Sequence, residues 1–371
     1  MSLGVVQVSD LLIKNGMPFT YIHEGYHALK LRHADILIEN GIITKIAANI
    51  TADCQTLDAT DCMLLPGYVN AGADLIDSAV LAGLLPDIAA LRQYERIEGV
   101  KKIAYEMLGD DELEAIALCS LWENMRSGTT TIVDLCEPKA HKAVKVAAEK
   151  LGVRLLTTPA NGVNYICAPC DIHAESDSGE LVGAAVCGHI EPSNADKELM
   201  HAASATAVLS AVACAQTGEK FPAVNYLRGG VNVALATGIY GNSMQSEMRT
   251  AAFAAKQAEQ NARQYKATDT FYAATVAGAQ LIKMDNLLGR IDIGMAGDIA
   301  VVSLERLGAL SYPFIQYLYG AEPADVKNIV CGGKVCMENG IPKKSAELVL
   351  ARKKAKQAVL AVWERARIEV L

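Results

Sequence analysis

Short apolar alternations dominate the first sixty residues and recur near the end, whereas the middle alternates strand-like runs with helical periods. Residues 11–16 and 34–41 are strand-like, each closes on Asn-Gly, and 42–46 follows as a return strand. Leu64-Leu65 then enters a Pro66-Gly67 corner, and an extended stretch delivers Asn70, Gly72 and Asp74 at its far end. Helical periods occupy 100–107 and 110–126; in the second, Leu113, Ile116, Ala117, Leu121 and Met125 form an apolar stripe and Asp110 or Asp111 serves as N-cap. A β-branched strand at 129–134, a helix at 140–151 and a strand at 153–157 complete a βαβ unit. Further strands are predicted at 181–189 and 231–238, with helices at 243–263 and 268–277. Residues 205–213 fit strand or helix equally. Segments 289–302 and 326–340 return to strand character, with a hairpin at Cys331-Gly332-Gly333-Lys334.

The pattern is that of an α/β protein. Residues 1–62 and 286–345 build one composite β-sandwich, 63–285 an abridged TIM-like (β/α) barrel, and 346–371 a C-terminal helix. About six strands in the middle region are convincing. With 371 residues and 51% hydrophobic side chains, a large core is attainable, and disorder is excluded.

A net charge of −8 argues against nucleic-acid and anionic-membrane surfaces. The one basic cluster, Arg352 to Lys356, lies in a helical pattern and reads as a solvated face. The N-terminus lacks a basic, apolar leader, and the apolar run 202–215 is too interrupted to span a bilayer. Ten cysteines without a leader read as reduced thiols, so a cytoplasmic location is expected.

Leu64-Leu65-Pro66-Gly67-Tyr68-Val69-Asn70-Ala71-Gly72-Ala73-Asp74 resembles the first barrel strand of the amidohydrolase superfamily, in the branch of cytosine, guanine and S-adenosylhomocysteine deaminases and triazine chlorohydrolases. Ser127-Gly128-Thr129-Thr130-Thr131 resembles that branch's second strand, and Gly188-His189-Ile190-Glu191-Pro192 its Pro-His-x-Pro segment. Val231 to Gly238 is similar to its last strand, usually ending Gly-Thr-Asp, and Glu247-Met248-Arg249 echoes the helix that follows. The resemblance implies a barrel hydrolase acting on non-peptide C–N bonds with one divalent zinc or iron. It also implies metal-binding histidines at two positions that are Gly72 and Asp74 here, and a carboxylate where Gly238 stands. No metal is therefore expected at the inherited positions, and the expectation is a catalytically degenerate binding or assembly protein.

Two alternatives stand beside it. One is an active deaminase or hydrolase with a rearranged site, for which Asp74, Asp134, His189 and Glu191 are the pocket candidates. The other is a zinc or thiol-redox module at Cys167, Cys170 and His173, which have Cys-x-x-Cys-x-x-His spacing. A homo-oligomer and a small-molecule or protein partner are expected from the resemblance, without nucleic acid or membrane. No nucleophile elbow, Walker sequence or dinucleotide fingerprint is present.

Overall fold

A computed structural model describes residues 10–19, 33–82, 90–158, 164–166, 184–187, 191–307 and 313–367. The N-terminal strands are β1 (Leu11–Pro18), β2 (Ala34–Glu39), β3 (Ile42–Ala47), β4 (Gln55–Asp58) and β5 (Cys62–Pro66). The central strands are β6 (Tyr68–Ala73), β7 (Thr129–Asp134), β8 (Arg154–Thr157), β9 (Asn164–Ile166), β10 (Ala184–Cys187), β11 (Thr206–Leu209) and β12 (Asn232–Leu235). Four more, β13 (Ile299–Ser303), β14 (Val326–Cys331), β15 (Lys334–Glu338) and β16 (Ile341–Pro342), come from the C-terminal part.

Both ends of the chain meet in one set of strands ordered β16-β15-β14-β13-β5-β1-β2-β3, with β4 also on β1. The join is antiparallel, Met63 to Pro66 of β5 against Ile299 to Val302 of β13. Ile13, Ile36, Ile38, Ile43, Leu64, Ile299, Val301 and Val330 fill the core between the layers. Asn40-Gly41 is the hairpin that the sequence predicts, with φ of 53° and 83°, the double left-handed geometry that this pair favours. Asn15-Gly16 is not a turn. β1 runs straight through it with a register slip between Ile13 and Gly16, and the Asn15 N–H donates to Asp35 Oδ1 at 2.8 Å. The bulge lets one strand pair with β4 through Leu11 to Lys14 and then with β5 through Met17 and Pro18.

Among the described residues seven central strands pair in parallel as β6-β7-β8 and β12-β11-β10-β9, one more than the sequence shows convincingly. The two groups meet where Gly238 N–H donates to Gly72 O at 2.9 Å and Asp74 N–H to Gly238 O at 3.3 Å. β6, β7 and β11 are buried on both faces. Val69, Ala71, Val133, Val208, Ala234 and Ala236 lie in small apolar clusters joined through Tyr165. Ile132, Ala207, Leu209, Val233 and Leu235 belong instead to the large core shared with the helices. Residues 205–213 prove to be both things: β11, then the helix Ala211–Thr217.

A buried polar knot ties β6 to the turn after β12. Asn70 Nδ2 donates to Asn124 Oδ1 and Thr237 Oγ1, both at 2.8 Å, while Asn70 Oδ1 accepts from the N–H groups of Thr237 and Gly72. Barrel and sandwich are pinned by Arg154 of β8, which donates to Asp298 at 2.5 Å; that carboxylate also accepts the Gly332 N–H at 2.8 Å.

The helix predicted from residue 100 begins earlier, as Ala90–Met107. Helix Asp110–Arg126 is capped at Gly109, whose N–H donates to Glu112, and neither Asp110 nor Asp111 caps it. Both aspartates reach outward, to Lys142 and Lys354. The helix Ser345–Arg365 buries Leu348, Ala351, Ala355, Ala358 and Val362, and its Arg352 and Lys354 form surface ion pairs. Among the described residues no helix is long and apolar enough to cross a membrane.

Candidate active site

The C-terminal ends of β6, β7, β11 and β12 surround a cavity of about 240 Å³ lined by Gly72, Asp74, Leu135, Val208, Ala236 and Tyr240, with Ser210, Ala213, Gly238 and Ile239 completing its wall. This is the face on which barrel loops build active sites. The walls are mainly apolar, so a charge within them is poorly solvated. Asp74 is the carboxylate that reaches the cavity. Burial, reinforced by the negative charges of Asp77 and Asp134 and opposed by Lys101, pushes its carboxyl from the ordinary 3.8 up to about 7. At neutral pH such a group both gives and takes protons, as a general acid–base catalyst must.

Asp134 stands behind it, fully buried at the end of β7. Its Oδ1 accepts the Leu75 N–H at 3.0 Å. Burial raises it to about 6, against hydrogen bonds from Cys136 and Leu75 that favour its charge. Asp77, 1% exposed, meets Lys101 Nζ at 3.1 Å. Burial raises Asp77 overall, the Lys101 charge working against it.

On the opposite wall, Ser210 caps the helix Ala211–Thr217 and accepts the Ala213 N–H at 3.1 Å. Its hydroxyl donates to Glu247 Oε1 at 2.8 Å, and Glu247 Oε2 accepts the N–H groups of Ala211 and Val212 at 2.8 and 3.2 Å. Glu247 is 1% exposed, and burial lifts it to about 8 despite those hydrogen bonds.

The nature of the scaffold is settled by comparison. Residues 218–336 match the amidohydrolase family. The 5-methylthioadenosine/S-adenosylhomocysteine deaminase of Pyrococcus furiosus is 25% identical over 89% of this chain and 96% of its own length. A 5'-deoxyadenosine deaminase of Methanothermobacter thermautotrophicus is 32% identical over 32% of this chain and 29% of that protein. Among solved structures, a zinc-bound adenosine deaminase of Xanthomonas campestris superposes with a TM-score of 0.79 at 18% identity, over 94% of this chain and 98% of that one. An atrazine chlorohydrolase mutant of Arthrobacter aurescens TC1, complexed with zinc and atraton, gives 0.81 at 18% identity, over 94% of this chain and 100% of that one. The chain resembles the amidohydrolase superfamily and carries its fold.

The divalent ion that the resemblance implies does not fit the described residues. At Gly72 an added Cβ would lie 3.2 Å from Leu135 Cδ1, 3.4 Å from Ala236 Cβ and 3.5 Å from Val208 Cγ1, all carbon and no donor. Gly238, at φ 52°, likewise brings no side chain, which leaves Asp74 alone of the three positions. Among the described residues no group of three or more His, Cys, Asp or Glu could hold a metal ion.

Of the pocket candidates named from sequence, Asp74 and Asp134 come together at the ends of β6 and β7. Glu191 is not with them: it is exposed and accepts from Asn225 Nδ2 at 2.5 Å, because its segment turns out to the surface before helix Asn194–Ala202. His189, Cys167, Cys170 and His173 lie outside the described residues. Sequence reasoning missed Ser210, Glu247, Asp77 and Lys101. Ser210 had a readable signal, as a cap residue between an apolar run and an alanine-rich one. Nothing in the local sequence marks Glu247 as buried against it, 37 residues away.

Proposed function

We propose that this chain is a deaminase-class hydrolase for a small amino-bearing heterocycle, and that Asp74 works its site in place of an ion. One observation carries the reading: a carboxyl group poised near neutrality in an apolar cavity at the C-terminal ends of the barrel strands, with carbon atoms of Leu135, Ala236 and Val208 around the neighbouring Gly72 position. Support comes also from the near full-length similarity to proteins named as deaminases. In the proposed step ionised Asp74 takes a proton from water as the water oxygen bonds to the ring carbon bearing nitrogen. The protonated carboxyl then hands that proton to the departing nitrogen, the C–N bond breaks, and ammonia leaves. The apolar walls hold the ring flat and exclude competing water.

Ammonia release is measured with aminopyrimidines, adenosine, 5'-deoxyadenosine and S-adenosylhomocysteine, in chelator-treated buffer. Turnover that survives chelation and falls at least 100-fold in Asp74→Asn is the expected result. Turnover restored only by zinc or iron overturns the carboxylate mechanism. If no compound turns over, a second reading takes its place: a cavity that retains ligand binding without chemistry, which the glycines at 72 and 238 favour.

A further inference from the structure

The cavity carries a second polar group whose hydrogen-bonding sense is fixed from behind. Ser210 is 3% exposed and lines the cavity. A hydroxyl has one proton to donate and two lone pairs to offer. Here the proton is committed to Glu247 Oε1 at 2.8 Å, and one lone pair is taken by the Ala213 N–H at 3.1 Å. Ionised Glu247 is acceptor-only, and three donors converge on its two oxygens: the Ser210 hydroxyl and the N–H groups of Ala211 and Val212. Glu247 therefore cannot release the Ser210 proton without leaving a buried carboxylate oxygen unsatisfied.

We infer that Ser210, held by ionised Glu247, is a specificity-determining residue: with Glu247 in that state it offers the cavity a lone pair and no proton, so the ligand must present an N–H donor to it. This deepens the proposed function, on which it rests for the location of the ligand. With ionised Asp74 as another acceptor on the cavity wall, Ser210 and Asp74 select the amino form of a heterocycle over its oxygen-bearing analogue. Glu247 touches no ligand in this scheme and acts as a positioning residue. The helix N–H groups it occupies are thereby withheld from any anion.

The test uses two neutral 2-substituted pyridines, 2-aminopyridine as donor and 2-methoxypyridine as acceptor, titrated calorimetrically against the full chain at pH 9, above the value of about 8 at which Glu247 ionises. Wild type is expected to favour the amino probe. One hydrogen bond of about 1.4 kcal/mol corresponds to tenfold, so Ser210→Ala is expected to cut the preference about tenfold while Ser210→Thr, which keeps the hydroxyl, restores it. Glu247→Gln supplies a reading that simple structural support would not. A single carbonyl oxygen cannot serve both the helix N–H groups and Ser210. If the carbonyl turns to the helix, the amide N–H₂ donates to Ser210 and frees its proton for the cavity. The preference is then expected to move toward 2-methoxypyridine.

An unchanged preference in Ser210→Ala with a wild-type melting curve overturns the inference, as does a wild type that binds neither probe or prefers the methoxy one. Absence of turnover with an intact Ser210-dependent preference sinks the proposed activity and leaves this assignment standing. Turnover with a preference indifferent to Ser210 does the reverse.

Discussion

Neutralising the cavity carboxylate should make this protein more stable, and the gain should depend on pH. In the folded chain Asp74 titrates at about 7, against 3.8 for an unperturbed group. Between those values the native state keeps a proton that the unfolded chain has shed, so rising pH erodes stability. The cost is complete above the folded value and fades as pH falls toward the unfolded one. A tenfold difference in proton affinity is worth about 1.4 kcal/mol, and the rise spans roughly three such factors, which sets a ceiling of about 4 kcal/mol. Asp74 keeps partial solvent contact, so the realised cost is discounted to about 1–2 kcal/mol. Asp74→Asn preserves shape and removes the charge. Each kcal/mol moves the melting temperature of a large domain by roughly 2 °C or slightly more. Melting curves of wild type and variant are compared at pH 5 and pH 9. A gain of about 2–5 °C at pH 9, with a markedly smaller one at pH 5, is expected. An equal gain at both pH values, or a loss at pH 9, would refute the claim that the folded site strains against this charge.

Two further perturbations probe the scaffold that carries the site. Asp298→Ala strands the Arg154 guanidinium, one-quarter exposed, and the Gly332 N–H. It should cost about 3 kcal/mol, read as a lower urea midpoint at unchanged slope; a cost under about 1 kcal/mol would mean that barrel and sandwich are not pinned there. Asn70→Ala removes both acceptor and donor from the polar knot at the β6–β12 seam, leaving buried N–H groups on Gly72 and Thr237. It should cost about 2–4 kcal/mol and speed amide exchange at those two residues before the rest of the barrel; uniform exchange would argue against a seam that opens locally.

The barrel mouth carries the strand-end aspartates Asp74 and Asp134, and the Gly72 position lies against Leu135, Ala236 and Val208. Carbon walls desolvate the carboxylate that remains, and the same desolvation that costs stability brings Asp74 into the range of proton transfer at neutral pH.

Local signals determined a good deal by themselves. The Asn40-Gly41 hairpin, the strand Thr129–Asp134 after its glycine, the buried stripe of Asp110–Arg126 and the Asp74 position at a strand end follow from backbone preference and apolar period, which neighbouring residues set. That positions 72 and 238 carry no side chain was equally legible, because a glycine needs no fold to interpret. Tertiary structure decided the rest. Asn15-Gly16 has the same dipeptide as the hairpin, yet becomes a bulge because β1 must serve β4 and β5 in turn. Glu191 leaves the pocket, and Glu247 enters its rear wall, through contacts with residues 34 and 37 positions away. Burial, the cause of the raised carboxyls at Asp74, Asp134 and Glu247, is a property of what surrounds a residue in space, and the chain specifies it only once folded.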